Sequence, residues 1–198
     1  MRSWSATCDR RTGLVRCKRN VRFRALRGMT LVELMIVIGL LGVLATLAAP
    51  SFSEFRLREQ VKGAANNLYT DLQFARSESV QRNRAVSVSV TSGSSWCYGI
   101  HEGNTQCDCA TAGSCSIKTV SSSDFNNVQI DEAAFGSQAW YVIDPRRGQI
   151  IDDTGAAASG TVTFTAGGGK DLRAAVNAVG RVSLCAPSGK IGGYPTCQ

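Results

Sequence analysis

The chain has 198 residues, 43% of them hydrophobic, which suits one domain of ordinary size with additional segments. Its net charge of +7 is not spread over that domain: residues 1–28 hold nine Arg or Lys and one Asp, which leaves −1 for the remainder. Bulk electrostatics therefore argues against a strongly basic nucleic-acid-binding domain.

The basic block, Arg2 to Arg27, runs directly into an apolar segment. From Met29 to Ala49 there are 21 residues, and Glu33 is the only charged one. About 20 apolar residues span a bilayer as a helix, and a basic flank holds the N-terminus on the cytoplasmic side while the rest crosses. A carboxylate within such a run costs on the order of 3 kcal/mol, so it is expected to face a partner and to mark function. The plainer alternative is a signal anchor whose Glu33 snorkels to the interface. Pro50 removes a helix hydrogen bond where the run ends, and a kink is expected there. Beyond it, Val61, Ala65, Leu68, Leu72 and Ala75 recur at intervals of four and three. That spacing predicts one apolar stripe on an amphipathic helix reaching about Arg82, with Arg58, Lys62, Asp71, Arg76 and Gln81 in water.

Helical patterning stops near Asn83. "AVSVSV" (85–90) alternates with period two and predicts a strand. Further strands are expected at Trp96–Ile100, Val128–Asp131, Trp140–Asp144, Thr161–Ala166, Leu172–Asn177 and Arg181–Cys185, separated by Gly-, Asp- and Pro-rich turns. The expected fold is α+β: a long N-terminal helix, half transmembrane and half amphipathic, whose stripe covers a mainly antiparallel sheet.

The eight cysteines divide at the apolar run. Cys8 and Cys17 precede it, in what would be a reducing compartment, and are expected as thiols. Cys97, Cys107, Cys109, Cys115, Cys185 and Cys197 follow it, and an even number in an oxidising compartment reads as disulfides. A zinc site from the four central cysteines, with His101, is the rival; zinc sites commonly pair ligands as C-x-x-C, and here the spacing is C-x-C.

No catalytic constellation stands out. His101 is alone in a Gly/Asn-rich hairpin candidate, and the sequence has no P-loop, HExxH or G-x-S-x-G. "AGGGKD" (166–171) lacks Walker spacing and reads as a turn between strands. Asp152 and Asp153 read as solvated loop acids rather than a calcium site. No metal, cofactor or enzymatic activity is expected.

"RGMTLVEL" (27–34) resembles a type IV prepilin signal. It has a basic leader, Gly28 before the cut, and an acid, Glu33, four residues after Met29. Pro50 falls where pilins carry a helix-kinking proline. The usual first mature residue is Phe, and Met29 departs from it. "AANNLYTDLQFARSESVQRNRAVSVSV" (64–90), "YVIDPRRGQI" (141–150) and "GRVSLC" (180–185) resemble the pilin-like FimT, FimU and GspH group, and "WCYGI" followed by "CDC" is most similar to its FimU-type minor pilins.

That resemblance implies a leader (1–28) cut by a prepilin peptidase, N-methylation of Met29, a transmembrane and filament-core helix (29–55), and an amphipathic helix with a disulfide-stapled domain (56–198). Glu33 would meet the amino terminus of a neighbouring pilin during assembly, since opposite charges attract strongly in a low-dielectric layer. The chain would wait in the inner membrane, N-terminus cytoplasmic and domain periplasmic, before joining major and minor pilins in a pilus. Two alternatives stay open. One is a FimT-like DNA-binding pilin using Gly180-Arg181, although the second arginine of the Gly-Arg-x-Arg motif is Ser183 here. The other is a GspH pseudopilin of a type II secretion system. Arg146, Arg147, Lys170, Arg173, Arg181 and Lys190 could form a basic face for the former, whereas the plain reading of "NAVGR" is a hairpin with Gly180 at positive φ. Cys185–Cys197 is expected to close a C-terminal loop. Proximity suggests Cys97–Cys107 and Cys109–Cys115, though four cysteines allow three pairings.

Overall fold

The computed structural model describes residues 7–11, 14–18 and 28–198, with backbone alone for 7–11, 14–18 and 47–50. The chain divides into two compact units, Met1–Leu47 and Ala48–Gln198. In the first, β1 (Thr7–Arg11) and β2 (Leu14–Lys18) form an antiparallel hairpin that sets Cys8 opposite Cys17. Whether those two cysteines are thiols lies outside the described side chains, as does the Pro50 ring.

Helix α1 (Leu31–Arg82) passes through both units. In the second unit the expected stripe is buried: Val61, Ala65, Leu68, Leu72 and Ala75 are all inaccessible or nearly so, joined by Ala64. Small residues at 64, 65 and 75 let the helix axis lie close to the sheets, and Leu68 and Leu72 fill the space between them. Burying a Leu side chain is worth about 1.5–3 kcal/mol, so this stripe, rather than helix propensity, fixes the helix on the domain. Among the residues expected in water, Arg58 and Gln81 are exposed and Lys62 and Arg76 half-buried, but Asp71 is buried at 5% exposure. Asp71 lies three residues after Leu68 and four before Ala75, on the stripe itself, and survives there because it is bonded.

The expected antiparallel sheet is realised as two. The first orders β5 (Lys118–Ser121), β4 (Cys97–Glu102), β3 (Val86–Thr91), β7 (Trp140–Ile143) and β8 (Ile150–Ile151); the second orders β11 (Val182–Cys185), β10 (Lys170–Val176), β9 (Gly160–Ala166) and β6 (Val128–Phe135). Every pairing within them is antiparallel. The sheets are stitched at two places. Gly93 and Ile130 exchange backbone bonds at 2.8 and 3.3 Å, and the Ile150 amide donates to the Ala178 carbonyl at 3.0 Å. Sequence reading missed β5 and β8. β5 is short and polar with only Val120 buried, and β8 has two residues, too few to show a period. β6 runs past Asp131 to Phe135 through an irregularity between Ile130 and Glu132 that breaks its alternation. β4 runs on to Glu102, two residues past the expected end of its strand, and includes His101.

The inward faces supply one core under α1. Val86, Val88 and Val90 of β3 and Tyr98 and Ile100 of β4 meet the helix stripe, with Phe164 and Leu172 from the second sheet. Trp96 sits at the seam between the sheets. Its indole donates to the Val128 carbonyl at 2.8 Å, and its ring meets Phe164 edge-on at 5.5 Å.

Candidate functional site

Thr30 begins α1. Its hydroxyl accepts the Glu33 amide at 3.2 Å and its carbonyl accepts the Leu34 amide at 3.1 Å, so Thr30 is the N-cap and Glu33 stands in the first turn. A carboxylate there is favoured by the helix dipole. Met29 precedes the cap by one residue, so a chain starting at Met29 would put its ammonium beside the turn that carries Glu33. From Leu31 to Leu44 every large apolar side chain is exposed, from Val37 at 39% to Leu31 at 69%. These side chains point in all directions around the axis, so the helix has no polar face for water. Among the described residues no single helix is long and apolar enough to cross a membrane; Leu31–Thr46 together with the helix from Ser51 passes by length and composition.

Three stretches far apart in sequence meet at Arg76. The α1 residue extends its guanidinium over the turns at Gly148 and Gly180 and donates to the Gly180 carbonyl at 3.4 Å. Gly148 and Gly180 both take positive φ, +62° and +76°, and a Cβ on Gly180 would lie 2.5 Å from the Gly148 carbonyl. Three residues on, the Ser79 hydroxyl shares its one proton between the carbonyls of Arg84 and Ile143, at 2.9 and 3.2 Å, tying the helix end to β7. The Gly180 turn is the expected hairpin: Gly180 donates to the Asn177 carbonyl at 2.8 Å, and the Asn177 side chain accepts the Arg181 amide at 2.8 Å. β11 starts one residue later than expected, at Val182.

Asp71 makes the second tie from helix to sheet. Its carboxylate accepts the Tyr98 hydroxyl at 2.7 Å and the Lys118 ammonium at 2.7 Å, and Asn67 donates to the same hydroxyl at 3.1 Å. Burial, then the bond to Asp71 and its negative charge, hold the Tyr98 phenol far above its ordinary value. The sequence signal was present: an acid in register with Ala64, Leu68 and Ala75 needs an inside partner.

The four central cysteines pair as Cys97–Cys109 and Cys107–Cys115, not as neighbours in sequence, and Cys185–Cys197 closes the C-terminal loop. The interlocked pairs hold residues 103–117 against the outward face of β3 and β4. Pairing by proximity overlooked that face: Cys97 and Gly99 point the same way on β4, and a Cβ at Gly99 would overlap the Cys115 sulfur. Beneath this lid Ser87 donates to the Thr105 carbonyl at 2.6 Å, and Ser89 accepts the Cys107 amide at 3.2 Å. The serines of "AVSVSV" are therefore buried although they alternate with the core valines. Among the described residues no cluster of His, Cys, Asp or Glu could hold a metal ion.

The six basic residues do not gather on one face: Arg146, Arg147 and Arg181 stand on two touching turns, and Lys170, Arg173 and Lys190 lie apart from them. Lys170 is buried and donates to the Gly167 carbonyl at 3.1 Å, Arg173 donates to Thr163 at 3.0 Å and approaches Glu132 at 3.9 Å, and Lys190 bonds the Gly168 carbonyl at 3.5 Å. Arg181 lies past the other end of β10, about 20 Å from Lys170 at 3.3 Å per residue. "AGGGKD" is the β9–β10 turn, as expected, with Gly168 and Gly169 at positive φ. Asp152 collects the Thr154 hydroxyl and the amides of Thr154 and Ala156, and those bonds, led by the hydroxyl, hold its carboxyl below its ordinary range.

Residues 64–190 match the family model described as Type II transport protein GspH, and residues 24–49 match the prokaryotic N-terminal methylation motif. Pilin-like protein PilA1 of Thermus thermophilus is 45% identical over 64 residues, 32% of this chain and 40% of that protein. Type IV major pilin protein PilA of Myxococcus xanthus is 48% identical over 42 residues, 21% of this chain and 19% of that one. The chain thus spans less than half the length of these curated relatives. Among solved structures, the type IV minor pilin FimU of Pseudomonas aeruginosa aligns with a TM-score of 0.48 at 21% identity, covering 67% of this chain and 96% of that chain.

Proposed function

This chain belongs to the GspH family, and from that premise we propose that it is a minor pilin, a filament subunit and peptidase substrate rather than an enzyme. The observation that carries the reading is the helix from Leu31 to Thr46: apolar on every side, exposed throughout, with one carboxylate in its first turn. A helix of that kind is stable only in lipid or among other such helices. Cleavage after Gly28 leaves Met29, methylated, as the N-terminus. The helix then holds the subunit in the inner membrane, N-terminus cytoplasmic and domain periplasmic, until it joins other major and minor pilins. Glu33 pairs there with a neighbour's ammonium and sets the register, because an unpaired carboxylate in that layer is penalised. Pro50 bends the helix between its two tasks. The three disulfides keep the domain rigid outside the cell membrane.

The test is Glu33→Ala, scored by the amount of this subunit in sheared filaments, in chains whose intact mass shows a start at Met29. Membrane insertion should be unchanged or improved, since the substitution makes the run more apolar. Filament content should fall by an order of magnitude or more. Wild-type content would remove Glu33 from assembly, and a mature chain starting elsewhere would remove the pilin reading. The same helix chemistry would serve a secretion pseudopilus, and loss of protein secretion rather than of pili on deleting the gene would select that alternative.

A further inference from the structure

The junction clasped by Arg76 carries unspent binding chemistry. Arg146 and Arg147 in the β7–β8 turn and Arg181 in the β10–β11 turn are exposed, and none has an ion pair among the described residues. Their turns are in contact, because the Gly148 carbonyl sits against Gly180. Two valines open at the same place. Val179, beside Gly180, is 54% exposed; Val80 of α1, 3.5 Å from where a Gly148 Cβ would stand, is 49% exposed. The only carboxylate within the two turns is Asp144, which accepts the Arg146 amide at 2.9 Å. Both turns are held stiff by Arg76, Asn177 and the Ile150–Ala178 bond, so little conformational freedom is left to lose on binding.

We infer that this Arg-rimmed valine patch docks a protein segment that presents carboxylates around an aliphatic side chain. Arginine forks match carboxylates bidentately, and an apolar centre inside a charged rim is the usual arrangement of an interaction hot spot. The alternative polyanion, nucleic acid, fits less well. Its affinity comes from many phosphate contacts, whereas three arginines supply few and the chain after residue 28 has a net charge of −1. Phosphates also leave the two valines uncovered. This inference rests on the side chains of the junction and not on the filament reading; a pilin neighbour is one protein that could present such a segment.

The experiment places a photoreactive benzoyl-phenylalanine at Val179, and separately at Val80, in the full chain expressed in its own cells. After irradiation the adduct is digested and the crosslinked peptide sequenced. The expected result is a protein adduct whose linked peptide carries at least two Asp or Glu close to the attachment point. It should fall at least tenfold in the Arg146→Glu/Arg181→Glu background. The same background must keep the wild-type protease resistance of the domain; Arg146→Ser/Arg181→Ser, with a milder loss, serves if charge reversal unfolds it. A nuclease-sensitive adduct, a linked peptide without acids, an adduct indifferent to the arginines, or no adduct from either position in a folded chain would each overturn the inference.

Discussion

Gly180→Ala tests the clasp at its tightest point, and Gly136→Ala is its internal control. Both glycines take positive φ, +76° and +67°, but nothing lies within 4 Å of a Cβ at Gly136, whereas at Gly180 it would meet the Gly148 carbonyl at 2.5 Å and Arg76 Nε at 3.1 Å. An alanine in the left-handed region costs about 1–2 kcal/mol, offset by roughly 0.4–1 kcal/mol from the stiffer unfolded chain. Gly136→Ala should therefore lose about 1 kcal/mol. At Gly180 the oxygen is backbone and cannot swing aside, so the turn must move. Moving it threatens the Arg76–Gly180 and Ile150–Ala178 bonds, worth about 1 kcal/mol each. The total is about 3 kcal/mol, or roughly 6–12 °C in Tm for a domain of this size, against about 2–4 °C for the control. Thermal unfolding followed by circular dichroism reads both. Equal shifts would mean that positive φ is the whole effect and that the two turns are not pressed together.

Peptide mapping under non-reducing conditions should recover Cys97–Cys109, Cys107–Cys115 and Cys185–Cys197. Removing the second pair as a double serine variant should cost about 2.5 kcal/mol from the entropy of its short loop, and finding Cys97 joined to Cys107 would displace the lid from β4. Asp71→Leu should destabilise by about 2–3 kcal/mol, because it leaves the Tyr98 hydroxyl buried with less bonding; Asp71→Leu/Tyr98→Phe should recover part of that loss, and a simple sum of the two single effects would show no coupling. Burial raises both Tyr98 and Tyr141, so their unfolded phenols ionise first and the folded state loses stability as pH climbs through about 10. Tyrosinate absorbance should show these two of the four tyrosines titrating only as the protein unfolds, and Tyr98→Phe should flatten the alkaline loss.

The helix was legible because its chemistry is one-dimensional. A lone acid in an apolar run, and Val61, Ala65, Leu68, Leu72 and Ala75 at steps of four and three, can be read without knowing what lies opposite. The Gly180 turn was legible for a similar reason, since "NAVGR" carries its own turn chemistry. What failed needed the second side of a contact. Asp71 sits in the periodic stripe, yet only Tyr98 and Lys118, 27 and 47 residues away, explain its burial. The pairing of Cys107 with Cys115 depends on Gly99 leaving room on a neighbouring strand. The serines of β3 look solvent-facing until a disulfide-held loop lies over them. β5 and β8 exist because strands already in place offer them an edge, not because their own residues alternate.

The same division separates the two halves of the proposed function. On the proposed reading, a helix that is apolar all round with one acid brings a subunit into lipid or a bundle of such helices. It cannot by itself specify which neighbour sits beside it. Selection of neighbours must come from surfaces where the chain departs from its own packing needs. The core explains Arg76, Gly148 and Gly180, since each is held by the others. It does not explain why, among the described residues, Arg146, Arg147 and Arg181 are left without an ion pair while Arg82, Arg84 and Lys118 find theirs within the domain. Nor does it explain two exposed valines between them. A single exposed arginine or valine is ordinary on a solvated surface, but three arginines around two valines on stiff, touching turns supply both parts that a docking surface needs.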